Sequence, residues 1–369
     1  MKIGFDATPF IYSTGGIARY AKNLLQAILD LKSNHTIFGY VPRGASSKLP
    51  WPAGTYSDNF AWKGVNAFNF KYQGFIDDLD LYHGTNFKLQ TSGSYGTVLT
   101  IHDLWLDRFP EYSKKPFGQK FSFYRTRKRA QKARRVIAVS HFTSSEIQTL
   151  YGLPEENISV IHSGISSDFF PDLDEKKLAQ VLLRHGIPSR PYILFVGGAD
   201  PRKNHETLFR AFSNRFSLNR EWSLIAIGNQ ESRGRNLLKT KNTLGLEGKV
   251  YSVNFVSNEE LRLLYSFADV FVFPSKYEGF GFPVLEAMSC GAPVVANNVT
   301  SIPEIAGDAA ILVDAEDEES LGEGILRILY DEELSKELRA KGLKQIQQFS
   351  WAKTARETIQ IYQGVCDKF

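Results

Sequence analysis

The chain has 369 residues, 43% of them apolar and 23% charged, with a net charge of +4. This length exceeds what one hydrophobic core usually serves, so two domains are expected and extended disorder is not. Only Cys290 and Cys366 occur, which excludes a disulfide framework and cysteine-built zinc spacing and fits a reducing compartment.

The N-terminal segment carries Asp6, Arg19, Lys22 and Asp30 without an apolar h-region, and nowhere do about 18 apolar residues run together. A cytoplasmic protein with neither signal peptide nor membrane span is therefore expected. Charge divides unevenly, at +7 over residues 1–187 and −3 over the remainder.

Short β-rich runs at Ile3–Asp6, Thr36–Val41, Thr97–Ile101, Val136–Val139 and Ile158–Ile161 alternate with amphipathic segments, an open α/β pattern. The pattern restarts with Tyr192–Val196, Ser223–Ile227, Lys249–Val253, Val270–Phe273, Pro293–Ala296 and Ala310–Val313. Two similar halves follow. The acidic segment Ser166–Glu175, which contains Pro171, suits the crossing between them. The boundaries expected are 1–168 together with a terminal helix 351–369, and 169–350. Ser350 caps that helix before Trp351, and it runs to about Gly364.

In the first half, Gly15-Gly16 precede a helix over Ile17–Leu31. They do not make the dinucleotide fingerprint, which needs a third glycine and a later acid. The pair is equally a tight turn or a set of amides for an anion. Asp78 and Asp80, like Asp172 and Asp174, match a two-carboxylate pattern that can hold a divalent metal. Both are set aside, the first because it leads into a strand and the second because it lies in the crossing. His83 and Asn86 close a strand-like run and are candidates for an acceptor region.

Strand Thr97–Ile101 ends in His102-Asp103, where parallel sheets place ligands. This makes His102 the catalytic candidate of the first half. Asp103 either orients it or caps the next turn, and it joins His83 and Asn86 as a candidate for the acceptor region. The stretch 121–135 is basic and helical with aromatics at its start. It reads as a solvated face or as a surface for anionic lipid or a lipid-diphosphate glycan carrier. No readout motif for nucleic acid accompanies it.

In the second half, strand Tyr192–Val196 runs into Gly197-Gly198, then Pro201-Arg202-Lys203-Asn204. Glycines at a strand end let a ligand approach backbone, and Arg202 and Lys203 bring positive charge. The stretch Glu278-Gly279-Phe280-Gly281-Phe282-Pro283-Val284-Leu285-Glu286 sets two carboxylates eight positions apart across a glycine-rich turn. Pro283 can start a helix whose first free amides, around Val284 and Leu285, meet an anion, and Glu286 can accept hydrogen bonds from paired ribose hydroxyls. Val253, Asn254 and Phe255 end another strand. Asn254 there either selects a nucleobase or caps the turn before Ser257.

These motifs, with Ala292–Ala296, Ser301-Ile302-Pro303-Glu304, Gly307–Ala310 and Phe349-Ser350-Trp351, resemble the retaining glycosyltransferases of family 4. The resemblance implies a GT-B fold, two Rossmann-like domains with a cleft between them and a C-terminal helix returning to the first. It implies that Arg202 and Lys203 hold the diphosphate, Glu278 faces the transferred sugar and Glu286 binds the ribose. It also implies that Gly15-Gly16 lie over the donor phosphates, His102 contacts the sugar near the reacting centre, and Val253–Phe255 meet the base.

Around Gly15-Gly16 and Thr100–Leu104 the chain is most similar to mannosyltransferases of bacterial surface polysaccharide (O-antigen type) assembly, lipopolysaccharide included. GDP-mannose is the expected donor, and the acceptor a glycan or lipid-linked glycan. No cofactor and no metal are expected, because Arg202, Lys203 and the helix start supply the positive charge. A UDP-sugar transferase of the same family, a nucleotide-sugar epimerase and a non-catalytic sugar-nucleotide-binding regulator remain open as alternatives.

Overall fold

The computed structural model describes residues 1–12, 15–45, 59–65, 78–87, 95–113, 116–188, 191–216, 222–232 and 235–367. The chain divides into two compact units, Met1–Gly164 with Phe349–Phe369, and Ile165–Gln348.

The first unit is built on seven strands: β1 (Lys2–Asp6), β2 (Thr36–Pro42), β3 (Phe60–Val65), β4 (Leu81–Gly84), β5 (Gly96–Ile101), β6 (Arg135–Ala138) and β7 (Ile158–Val160). All pair in parallel, in the order β3-β2-β1-β4-β5-β6-β7. A parallel sheet is covered on both faces, so its central strands read as continuous apolar runs, and every residue of β4 and β5 is buried.

Helix Gly16–Asp30 covers one face with Tyr20, Leu24, Leu25 and Ile28. The C-terminal helix Trp351–Cys366 packs against it and beside β4 and β5 with Thr354, Ala355, Thr358, Ile359, Tyr362 and Val365. Ser350 caps that helix by accepting from Lys353 N at 3.2 Å. Two glycines make room for it. A Cβ on Gly96 would lie 2.6 Å from Val365 Cγ1, and one on Gly164 would collide with the backbone at Trp351.

The second unit contains β8 (Tyr192–Val196), β9 (Ser223–Ile227), a short antiparallel pair β10 (Glu231–Ser232) and β11 (Arg235–Asn236), then β12 (Val250–Val253), β13 (Val270–Phe273), β14 (Val294–Asn297) and β15 (Ala310–Val313). The main sheet runs β12-β9-β8-β13-β14-β15, all parallel. Its order reverses between β8 and β13, the switch point outside which open α/β sheets leave a crevice for ligands. Both faces carry apolar clusters, one centred on Tyr265, Phe271 and Met288 and the other on Phe195, Phe209 and Phe212.

Segment Ser166–Glu175 folds onto the second unit. Arg262 holds Asp172 through two nitrogens at 3.0 and 3.2 Å, and Asp174 caps helix Glu175–Arg184. In the first unit, Asp80 accepts from Lys2 N at 2.7 Å and Asp78 pairs with Lys2 Nζ at 3.1 Å. Among the described residues no helix is long and apolar enough to cross a membrane.

Candidate functional site

At the switch point of the second unit, the loops after β8 and β13 meet. Gly198 takes φ +64°, and a Cβ there would stand 2.7 Å from both the backbone N and O of Asn229. Gly228, at φ +135°, presents its own bare Cα to Gly198 in return. Two strand ends thereby approach glycine to glycine. The chain then enters a short turn, Pro201–Lys203, in which Asp200 accepts from Arg202 N at 3.0 Å. Asn204 closes it in the left-handed region and donates to Ala315 O at 2.6 Å.

This turn delivers Lys203 to Glu278. Lys203 Nζ lies 2.6 Å from Glu278 Oε1 and 5.2 Å from the Phe273 ring centroid. Ser275 Oγ donates to the same Oε1 at 2.6 Å, while among the described residues Oε2 accepts no hydrogen bond. Burial opposes ionisation of Glu278, but Lys203 and Arg202 nearby, with the bonds from Lys203 and Ser275, outweigh it and hold the carboxyl below its usual range. Arg202 lies 3.9 Å from Asp200, and its carbonyl accepts from Lys276 N at 2.8 Å and lies 3.1 Å from Ser275 Oγ, tying the two loops together.

The backbone of the Glu278 turn is held as firmly. Thr300 Oγ1 accepts from Glu278 N at 3.2 Å, and the buried Ser301 hydroxyl reaches the carbonyls of Glu278 and Phe280 at 3.0 and 2.8 Å. Thr300 has φ +60°, an unfavourable conformation for a β-branched residue. Asn297 donates to Ser275 O and accepts from Ala315 N, both at 3.1 Å. Neither Thr300, Ser301 as an anchor nor Asn297 stands out in the sequence. Only Gly228, a glycine directly after a strand, carries a local signal.

Gly279, Phe280 and Gly281 are buried, and Gly281, at φ +114°, caps helix Phe282–Ser289 with Pro283 in its first turn. The amide of Val284, expected to be free for an anion, instead donates to Gly281 O at 3.0 Å, because the left-handed glycine turns its carbonyl back over the first turn. Leu285 is fully buried, and Glu286 is only 1% exposed with Tyr265 OH 3.5 Å from Oε2.

At the end of β12, Val253 O accepts from Gly228 N at 2.9 Å, and Asn254 Oδ1 faces Gln230 N at 3.4 Å. Asn254 does not cap the following helix. Ser257 does, in a complete capping box with Glu260. Phe255 is 81% exposed.

In the first unit, exposed Gly15 and Gly16 start their helix, with Gly15 at φ +84°. His102 is buried at the end of β5, and its Nε2 sits 2.8 Å from Thr85 O. A carbonyl only accepts, so Nε2 carries the proton and Nδ1 the lone pair. Burial lowers the His102 pKa more than the Thr85 bond and Asp103 raise it, so the ring is neutral near pH 7. Asp103 Oδ1 accepts from Trp105 N at 3.1 Å, capping the next turn while lending His102 its negative field.

Phe87 flanks the histidine ring at 6.2 Å with backbone φ +53°. Asn86 Oδ1 is buried and has no hydrogen-bond partner among the described residues. His83, expected in the acceptor region, is fully buried. Its Nδ1 lies 2.6 Å from Tyr362 OH and its Nε2 2.8 Å from Thr100 Oγ1, leaving no ring nitrogen for an acceptor.

The basic helix is observed as Pro116–Lys132, with the side chain of Phe121 outside the described residues. Part of its charge is committed: Arg127 donates to Tyr151 O and Arg129 to Phe87 O. Lys128 and Lys132 are exposed, the former over the Tyr124 ring at 4.5 Å.

Residues 184–345 match the model of the glycosyl transferases group 1, and residues 14–169 that of Glycosyltransferase Family 4. The chain is 34% identical to O-antigen chain mannosyltransferase B of Escherichia coli, over 98% of this chain and 99% of that protein. It belongs to glycosyltransferase family 4.

Its backbone resembles sucrose-phosphate synthase from Thermosynechococcus elongatus at a TM-score of 0.78, with 21% identity and all of both chains covered. It also resembles Anabaena HepE in complex with UDP-glucose at a TM-score of 0.74, with 16% identity over 99% of this chain and all of the other. The fold is GT-B. As a glycosyltransferase, the chain moves a sugar from a nucleotide-sugar donor to an acceptor.

Proposed function

We propose that this glycosyltransferase is a retaining, metal-independent mannosyltransferase that uses GDP-mannose and extends a glycan or lipid-linked glycan of a surface polysaccharide. The likeness to O-antigen chain mannosyltransferase B supports the sugar. The largely buried Lys203–Glu278 pair at the β8/β13 switch point carries the chemical reading.

In this reading Glu286 accepts from the ribose hydroxyls and Arg202 and Lys203 face the diphosphate. An ammonium has three donors, and Glu278 uses one from Lys203, leaving others for phosphate oxygens. Glu278 Oε2 accepts from a hydroxyl of the transferred sugar, and His102 Nδ1 accepts from another. Asn86 Oδ1 serves the acceptor. Phe255 offers an exposed aromatic surface to the nucleobase.

The bond between the anomeric carbon and the β-phosphate oxygen breaks as the acceptor oxygen attacks from the same face. The departing phosphate oxygen takes the acceptor proton, giving a glycoside and a nucleoside diphosphate. Fixed cations stabilise the charge growing on the phosphate and take over what a metal would supply. A trapped covalent glycosyl-enzyme would sink this mechanism.

Calorimetry with a donor panel tests the donor. Preference for a UDP-sugar selects the second reading, to which the UDP-glucose complex of HepE lends weight. Glu286→Ala should weaken binding of the plain nucleoside diphosphate, whereas Glu278→Ala should chiefly impair sugar recognition or transfer. Equal loss of diphosphate binding in both refutes that division. Lys128 and Lys132 support peripheral contact of this cytoplasmic enzyme with an anionic membrane. Cosedimentation with anionic vesicles, undiminished in a Lys128→Glu/Lys132→Glu variant, would remove that part.

A further inference from the structure

The ring of His102 is fixed at Nε2 by Thr85, but one hydrogen bond leaves an imidazole free to tilt about it. Tyr20, fully buried on helix Gly16–Asp30, closes that freedom. Its ring meets His102 edge to face, with centroids 4.6 Å apart and planes at 81°. Phe87 flanks the same ring at 6.2 Å and 70°.

Tyr20 is itself held from behind. Its hydroxyl lies 3.1 Å from Thr100 Oγ1, which lies 2.8 Å from His83 Nε2, and His83 Nδ1 lies 2.6 Å from Tyr362 OH on the C-terminal helix. Tyr20, Thr100, His83 and Tyr362 are all fully buried, so none can exchange its partner for water without opening the unit. Burial keeps His83 neutral, with a pKa lowered to about 3. One of its nitrogens therefore donates while the other accepts, which orders the hydroxyls on either side of it.

We propose that Tyr20 is a positioning residue for His102, braced through Thr100 and His83 against Tyr362, so that the docked C-terminal helix sets the aim of the active-site imidazole. This rests on the reading of His102 as a sugar contact. Tyr20 itself touches His102 through ring packing, so its ring and its hydroxyl make separable contributions. Phenylalanine at position 20 keeps the edge contact and loses the hydroxyl anchor, and leucine loses both.

The test uses the full chain with Tyr20→Phe, Tyr20→Leu, Tyr362→Phe and His102→Ala. Turnover is followed by hydrolysis or transfer from the nucleotide sugar that calorimetry selects, and the imidazole nitrogens of His102 by 15N NMR. Tyr20→Leu is expected to lower kcat about tenfold with KM for the donor nearly unchanged, as loss of orientation does. The two phenylalanine variants should lower it about threefold. In all three the His102 nitrogen signals should move away from the single Nε2-protonated form.

Unchanged His102 spectra in the Tyr20 variants overturn the proposal, whatever happens to turnover. If Tyr20→Leu fails to fold, the near-isosteric phenylalanine variants decide by the same spectra. Full activity in His102→Ala instead defeats the reading of His102, while the spectra still judge the brace on its own.

Discussion

Lys203 Nζ and Glu278 Oε1 stand 2.6 Å apart, with 14% and 11% of their side chains exposed. The two charges come from loops following different strands, so the ion pair, with the Arg202 carbonyl that both Ser275 and Lys276 engage, is a cross-brace between those loops. In the proposed reading, a nucleotide sugar arriving there meets an ammonium already aimed and a carboxylate already ionised.

Removing one member should cost more than removing both. Lys203→Met leaves the Glu278 carboxylate buried without its cation and should destabilise the second unit by about 3 kcal/mol. The double variant Lys203→Met/Glu278→Gln should recover most of that. Urea unfolding of the four species gives the coupling, and strictly additive losses would count against the pair as a brace.

His83 should make the first unit acid-sensitive. Its pKa in the folded chain, about 3, lies below the ordinary 6.5 because burial penalises the charged ring. Stability from the neutral ring is therefore complete above pH 6.5 and is lost as pH falls from there toward 3, with a slope of up to about 1.4 kcal/mol per pH unit. His83→Gln should lower stability near neutrality yet flatten the fall between about pH 6.5 and 5. His102, lowered in the same direction, leaves a residual slope. Parallel curves for both proteins would remove His83 as the cause.

Gly198→Ala should be more damaging than a change at another left-handed glycine. Its Cβ would lie 2.7 Å from Asn229 backbone atoms, whereas a Cβ on Gly291, at φ +77°, would meet nothing within 4 Å. The expected losses are about 3 kcal/mol at Gly198 and about 1 kcal/mol at Gly291. Thermal unfolding should rank them so, and donor affinity should fall only for Gly198→Ala.

Asn297→Ala strands the carbonyl of Ser275 and the amide of Ala315, both in the buried floor beneath Glu278. A loss of about 2 to 3 kcal/mol is expected from two unpaired backbone groups. Denaturation measures it, and a loss below about 1 kcal/mol would mean that other partners replace the amide.

Much of this is legible in the sequence because it is local. Parallel strands buried on both faces read as short apolar runs, and those of the second unit fall within a residue of where periodicity puts them. The Gly197-Gly198 turn and the Glu278–Glu286 element announce themselves by glycine beside charge. What escapes is nonlocal. Strand β3, half exposed at a sheet edge, lacks the apolar run of its neighbours.

The partner of His83 stands 279 residues away, so the histidine reads as a site residue when it is a strut. The Val284 amide reads as free because spacing shows where a helix starts and not what the preceding carbonyl does. Thr300 and Asn297 carry no signature, since a left-handed threonine and a bridging amide are consequences of packing rather than of composition.

The bond between His83 and Tyr362 also orders events during synthesis. The second unit is one uninterrupted segment and can close as soon as it leaves the ribosome, whereas the first waits for Phe349–Phe369. Until then the space beside Gly96 is unfilled and His83 Nδ1 lacks its partner. The half begun first is finished last.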